Sequence, residues 1–297
     1  LETKRKFIIG EEWLYLKIYG GPKILEDILV NDIYSLLLDL YEKKYIDKFF
    51  FVRFNDDGYH LRLRFHLTEL DHISYILSQL SRTLRHYVEN RLVVKVTTDT
   101  YNREFERYGS NSVEYAETLF SVDSLQVLDL FKQTDDYTER WSRGVAFIDH
   151  LLDKFELTLL DKQQLLESYF QSYLSEIGDS KANREELKRK YREENKKIEG
   201  SLLFVPEFLD SPSFANQIRK QEESAVKGVL QLKKTSLLKV KFDSFLKSIV
   251  HMHCNRLFRV NQRKHELVLY YLLSKFHKSQ HARQSYGENL KNDIPIQ

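Results

Sequence analysis

The sequence predicts an α+β fold, with an antiparallel or mixed β-sheet in the N-terminal third packed with helices, followed by a largely α-helical C-terminal portion. Three observations predict it. A β-hairpin pattern stands at 49–65, strand-like and helix-like stretches alternate on either side of it, and beyond Ser110 the apolar residues recur at helical spacing. The expected organisation is one domain over 1–297, sheet-rich at 1–109 and helical at 110–297.

Each element follows from its residues. Trp13-Leu14-Tyr15-Leu16-Lys17-Ile18-Tyr19 is aromatic and branched and runs into Gly20-Gly21-Pro22, which predicts a first strand with a hard stop. Residues 24–45 place Leu25, Ile28, Leu29, Ile33, Leu36, Leu37 and Leu40 on a helical repeat. In the hairpin, two aromatic and branched runs flank Asn55-Asp56-Asp57-Gly58, a turn sequence with one residue suited to positive φ. Residues 69–90 are helical through Ile73, Ile76, Leu77, Leu80 and Leu84, and 92–98 form a further strand. Helices are then predicted at 113–120, 121–133, 138–155 and 161–177, the last with Asp161 as N-cap. Residues 181–199 mix charges of both signs at short spacing, which favours a solvated, salt-laced helix over a nucleic-acid arm. A proline-bearing loop at 204–214, helices at 219–231, 236–258 and 265–277, and a polar tail fraying from Ser279 complete the expectation.

Composition narrows the function. With 42% hydrophobic and 13% aromatic residues the 297-residue chain is globular and long enough for a sizeable core. Lys and Arg number 46 against 44 Asp and Glu, so no global field points to nucleic acid, and any anion site must be local. The single Cys254 excludes an intrachain disulfide framework and leaves no cysteine cluster for structural zinc; it fits a reducing cytoplasm. No apolar run approaches the ~20 residues of a membrane helix. The first residues lack the apolar core of a signal peptide, and no Met opens the sequence, so a fragment or processed piece is expected.

Three stretches carry residues suited to chemistry. In the second hairpin arm His60, Arg62 and Arg64 alternate with Leu61, Leu63 and Phe65, so a period of two gathers the imidazole and both guanidiniums on one face. That face is either a salt-bridged exterior or a receptor for an anion, since Arg suits planar carboxylate or phosphate groups. Next, Thr100-Tyr101-Asn102-Arg103-Glu104-Phe105-Glu106-Arg107-Tyr108-Gly109 alternates charges after a strand, and Glu104 and Arg107 share a face on a helical turn. Third, His251-Met252-His253-Cys254-Asn255-Arg256 lies on an otherwise apolar helix, with His251 and Asn255 four apart on one face. A metal site is not expected: His251 and His253, two apart, diverge by roughly 200° on a helix. Glycine-rich phosphate loops, Gly-x-Ser-x-Gly elbows and metalloprotease spacings are lacking, and no cofactor is expected.

Together these stretches resemble the C-terminal domain of lantibiotic dehydratases, shared with stand-alone thiopeptide-type bacteriocin biosynthesis proteins. The carrying residues are Gly10 to Gly20, Phe50-Phe51-Val52-Arg53-Phe54 with His60-Leu61-Arg62-Leu63-Arg64, and Thr100-Tyr101 with Glu104-x-x-Arg107-Tyr108-Gly109. Ala116-Glu117-x-x-Phe120-x-x-Asp123-Ser124 and His251-Met252-x-x-Asn255-Arg256-Leu257 follow in the family's order. The resemblance implies elimination of glutamate from glutamylated Ser or Thr of a ribosomally made precursor peptide, leaving dehydroalanine or dehydrobutyrine. It further implies a carbon–oxygen lyase that works beside a glutamylation domain or protein using glutamyl-tRNA, with a homodimer expected and no direct nucleic-acid binding. Implied catalytic residues are Arg64, Glu104, Arg107 and His251; implied substrate-binding residues are His60, Arg62, Arg103, Asn255 and Arg256. The alternatives are a stand-alone [4+2] cycloaddition enzyme of thiopeptide pathways and a non-catalytic peptide-docking module. If the site is real, Arg64, Arg107 and His251 converge on one cavity.

Overall fold

The structure, a computed structural model, describes residues 3–203 and 212–292. They fall into two compact units, one within Leu1–Asp135 and Glu207–Val260, the other within Asp136–Pro206 and Asn261–Gln297. In chain order the first unit opens with β1 (Lys6–Phe7), β2 (Trp13–Gly20), α1 (Pro22–Ile28), a π-helical turn (Leu29–Ile33) and α2 (Tyr34–Glu42). It continues with β3 (Ile46–Asn55), β4 (Tyr59–Leu67), α3 (His72–Glu89), β5 (Val93–Thr98), β6 (Tyr101–Asn102), α4 (Phe105–Tyr108) and α5 (Val113–Gln133). The second unit holds α6 (Tyr137–Lys154), α7 (Leu159–Ile177) and α8 (Lys181–Leu202); α9 (Pro212–Lys234) and α10 (Phe242–Leu257) return to the first, and α11 (Gln262–Asn292) to the second.

The expected α+β class holds, and the hairpin sits inside a four-stranded antiparallel sheet of order β3-β4-β2-β5. Gly58 makes its turn at φ 96°, a conformation open to glycine because it has no Cβ. Alternation then divides the sheet. Leu14, Leu16, Ile18, Leu61, Leu63, Phe65, Phe49 and Phe51 are buried on one face, and Tyr15, Lys17, Arg62, Arg64, Phe50 and Val52 lie on the other. Arg53 falls on the apolar face, where its guanidinium donates to the buried Glu26 carboxylate of α1 at 2.6 Å. Glu26 also holds Arg259, so neither charge of the Arg53–Glu26 pair is left uncompensated.

The outer edge of β3 is closed by side chains. Phe49 N–H donates to Ser121 Oγ at 3.0 Å and Phe51 N–H to Ser124 Oγ at 3.3 Å, both from α5. From α10, Asn255 accepts from Arg53 N–H at 2.9 Å and donates to its carbonyl at 2.8 Å, while Arg256 Nε donates to Phe51 C=O at 2.9 Å. These groups stand where a further strand would pair, so a buried edge keeps its hydrogen bonds. Ser121→Ala removes the hydroxyl that receives Phe49 N–H and meets the Tyr41 hydroxyl. It is expected to lower unfolding free energy by about 1–3 kcal/mol in urea titration; an unchanged midpoint would count against this edge role.

Several element bounds differ from those the sequence predicts. The helices expected at 113–120 and 121–133 are one, α5, because nothing breaks the chain at Phe120-Ser121 and Ser121 is used inside the helix on its β3-facing side. Thr158, not Asp161, is the N-cap of α7: its hydroxyl accepts from Asp161 N–H, and the Asp161 carboxylate accepts from Thr158 N–H in return. The expected loop at 204–214 lies outside the described residues up to 211, and 212–214 already belong to α9. Residues 236–241 are not helical; Ser236 at φ 57° turns the chain before α10. The last helix runs on to Asn292 past the expected fraying point at Ser279. The two-residue strands β1 and β6, paired Phe7 to Tyr101, are too short to show a period.

In the second unit α11 packs along α7, with Tyr270 against Tyr169 and Tyr173. Buried Lys162 is neutralised by Asp149 and Asp153, each at 2.7 Å. The charged run forms α8 as expected, laced by Arg189 pairs to Glu186 and Glu193. Among the described residues no helix is long and apolar enough to cross a membrane.

Candidate functional site

A cavity of about 390 Å³ opens on the polar face of the sheet. Register builds its floor: Arg64 stands between Tyr15 and Phe50, and Arg62 between Lys17 and Val52. The segment after β5 supplies Asp99, Thr100, Tyr101, Glu104 and Arg107, and α10 supplies His251, Met252 and Asn255. The expected convergence of Arg64, Arg107 and His251 is met, though the first and last lie far apart in sequence.

Arg64 has the most distinctive setting. Its guanidinium lies 4.4 Å from the Tyr15 ring centre, 4.8 Å from Tyr101 and 5.1 Å from Phe50. Rings hold the plane in place through cation–π attraction without consuming its N–H donors. Among the described residues Arg64 forms no ion pair, and its buried Nε has no hydrogen-bond partner. A half-buried cation held in this way lacks only the anion that would satisfy it.

The other cations lining the cavity are engaged. Arg62 pairs with Asp56 at 3.1 Å and stacks 3.5 Å over Phe54. Lys17 pairs with Asp99 at 2.5 Å; that hydrogen bond holds the Asp99 carboxyl below its ordinary range. Arg107 is exposed and faces Glu104 at 3.6 Å, one helical turn away. Gly109, at φ 74°, ends α4, and a Cβ there would meet Ser112 Oγ at 2.7 Å, so the turn that carries Arg107 is fitted to glycine.

Of the residues singled out in the sequence, Arg62, Arg64, Glu104, Arg107, His251 and Asn255 line the cavity, and His60, Arg103 and Arg256 do not. His60 is fully buried beneath Arg62, stacked on Tyr19 with ring centres 4.5 Å apart. Its Nδ1 meets Gly58 C=O at 2.9 Å and its Nε2 accepts from Arg62 Nε at 3.1 Å, which requires the neutral Nδ1–H tautomer. Arg103 is spent on a two-pronged pair with buried Glu117, 2.7 Å at each prong. Arg256 is fully buried against Asp123 at 2.7 Å. These three position the framework, each held by partners inside the fold.

Burial pushes the His60 imidazole below its ordinary pKa. The unfolded chain therefore binds the proton first, so the stability this neutral histidine contributes is complete above about pH 6.5 and declines as pH falls below it. Urea titrations at pH 7.5 and 5.5 should show a stability loss on acidification that shrinks in His60→Gln. An equal loss in both proteins would rule this group out as its source.

The family model for the C-terminal part of lantibiotic biosynthesis dehydratases matches residues 13–277. The chain belongs to this family. It is 28% identical over 279 residues to the subtilin biosynthesis protein SpaB of Bacillus subtilis, covering 87% of this chain and 25% of that protein. It is 27% identical over 277 residues to the nisin biosynthesis protein NisB of Lactococcus lactis subsp. lactis, covering 91% and 26%. The chain thus spans about a quarter of the length of these curated relatives. Among solved structures, the tRNA-dependent lantibiotic dehydratase MibB from Microbispora sp. 107891 superposes with TM-score 0.63 at 21% identity, over 93% of this chain and 29% of that one. The pyridine synthase TbtD from thiomuracin biosynthesis superposes with TM-score 0.64 at 12% identity, over 91% and 98%. At these identities the likeness shows the shared fold.

In this lantibiotic-dehydratase C-terminal chain the cavity also contains residues that were not among the expected site residues: Tyr15, Lys17, Asp99 and the ring of Tyr101. A signal for two of them was present. The alternation that buries Leu14, Leu16 and Ile18 necessarily puts Tyr15 and Lys17 on the hairpin's cationic face. Asp99 and Tyr101 carry no such period, since they lie where β5 gives way to β6.

Proposed function

We propose that this chain eliminates glutamate from glutamylated Ser or Thr of a ribosomally made precursor peptide, as the lyase half of a lanthipeptide dehydratase. The observation that carries the reading is Arg64, a caged guanidinium without a counter-ion on the floor of a cationic cavity. The substrate is an ester whose leaving group is a carboxylate, the anion that a planar guanidinium receives with two parallel N–H bonds. A base removes the α-proton, the electron pair forms the Cα=Cβ bond, and the Cβ–O bond breaks to release glutamate. His251 is the candidate for the proton: it lines the same cavity, and an imidazole can both accept and donate one. Arg64 and Arg107 take the glutamyl carboxylate, Glu104 steadies Arg107, and Arg62 with Lys17 supplies positive potential toward enolate-like charge. The glutamyl ester comes from a separate domain or protein that uses glutamyl-tRNA, in the cytoplasm.

Elimination is favoured over ring formation because the family model for the C-terminal part of lantibiotic biosynthesis dehydratases matches residues 13–277. Purified protein given a glutamyl-Ser peptide should release free glutamate and leave a dehydroalanine product lighter by one glutamic acid than the adduct. A ring product from a bis-dehydroalanine peptide, with no glutamate released from the ester, would overturn the assignment in favour of cycloaddition.

A further inference from the structure

The two edges of the four-stranded sheet are treated in opposite ways. The β3 edge is closed by Ser121, Ser124, Asn255 and Arg256, whereas β5, at the other end of the order, has no strand on its outer side among the described residues. Asp99 N–H donates to Tyr15 C=O, and Thr97 and Lys95 stand opposite Lys17 and Tyr19. Antiparallel alternation therefore turns the backbone N–H and C=O of Val96 and Thr98 away from β2, toward open solvent. A register shift leaves Val94 without an opposite residue, 80% exposed.

Beside this edge lies a groove of about 870 Å³ between the strand and α3, lined by Leu77, Leu80, Leu84, Val88 and Val96. Its surroundings are cationic: Arg82, Arg85, Arg91 and Lys95 are exposed and form no ion pair among the described residues, and Glu89 is the carboxylate at the groove. Arg184 and Arg189 of α8, by contrast, pair with acids, Arg184 with Asp179 and Arg189 with Glu186 and Glu193.

The geometry points to a peptide-docking site on β5, which takes an extended segment by strand addition, apolar at every second position and acidic between. Main-chain bonds to Val96 and Thr98 hold such a strand, its apolar side chains enter the α3 groove, and its carboxylates meet Lys95 on the opposite face and Arg91 at the strand's start. An uncovered edge with apolar side chains invites pairing, and the unpaired cations select an acidic partner over a neutral or basic one. The edge ends at Thr98, next to the cavity-lining Asp99 and Thr100, and the docking proposed for it does not depend on the chemistry assigned to the cavity.

The test uses a fluorescein-labelled peptide of four Glu-Val repeats, followed by anisotropy against the intact protein. Saturable binding is expected, at least tenfold tighter than for four Lys-Val repeats, and weakened in 0.5 M salt. Val96→Pro removes one outward-facing donor while leaving the β2 pairing intact, and should weaken binding at least tenfold at an unchanged melting temperature. Lys95→Glu should weaken it as well. A probe N-methylated at alternate amides should lose binding to the wild-type protein, which tests strand addition without altering the fold. Equal binding of both peptides, insensitivity to N-methylation, or no saturation up to about 1 mM would each overturn the proposal. A wild-type dimer that Val96→Pro dissociates would overturn it too, by giving the edge to a second copy.

Discussion

Arg64→Ala is expected to slow glutamate release by about 10²–10³-fold while the glutamylated peptide accumulates, the effect of losing one fixed donor at a centre of developing charge. Among the described residues Arg64 forms no ion pair, so under the proposed elimination its charge is available to the departing carboxylate. Arg64→Lys keeps the charge but not the fork, and a lysine cannot lie flat between the rings of Tyr15, Tyr101 and Phe50. It should recover only a minor part of the rate. Arg107→Ala should cost less, because that side chain is half exposed and already faces Glu104. Mass spectrometry of the peptide resolves the adduct from the dehydrated product, and a melting curve shows whether Arg64→Ala still folds. Full turnover in a folded Arg64→Ala protein would remove the arginine from the mechanism.

The largest loss of stability is expected from Asp123→Ala, about 3–5 kcal/mol. Asp123 is 3% exposed and divides its two oxygens between His253 Nδ1 at 2.6 Å and Arg256 Nη1 at 2.7 Å. Burial alone would raise the Asp123 pKa, but the charges and hydrogen bonds of His253 and Arg256 outweigh it and hold the carboxyl below its ordinary value. Removing the carboxylate leaves the fully buried Arg256 without its counter-charge, a larger loss than that of the contact itself. The same lowered pKa makes the contribution pH-dependent. It is complete above the unfolded value of about 3.9 and is lost as pH falls through the lower folded value. Chemical denaturation at neutral pH should place Asp123→Ala well below the wild type, and the gap should narrow under acid. A gap of less than 1 kcal/mol at neutral pH would show that the cluster contributes little.

The cluster also explains a choice the sequence did not reveal. His251, Asn255 and Arg256 share one helix, yet they serve different ends. His251 reaches the cavity, Asn255 lines it while its amide closes the β3 edge at Arg53, and Arg256 turns inward to Asp123, 133 residues earlier in the chain. Helical spacing says which residues share a face but not which neighbour that face meets. Arg103 and Arg107 differ in the same way: four positions apart, one is locked to buried Glu117 and the other stands at the cavity mouth.

The sequence by itself determined the hairpin, its glycine turn, the apolar and cationic faces of β4, and the order of the longer strands and helices from β2 to β5. These follow from local rules, a period of two, a period near 3.6, and a residue without a Cβ where φ is positive. Tertiary structure alone decided which of the three alternating polar side chains remains available. His60 stacks beneath Tyr19, Arg62 is drawn back to Asp56 and Phe54, and Arg64 rises between three rings with no acid beside it. The physical reason is that charge compensation depends on partners brought in from other elements, and the period of a strand carries no record of them.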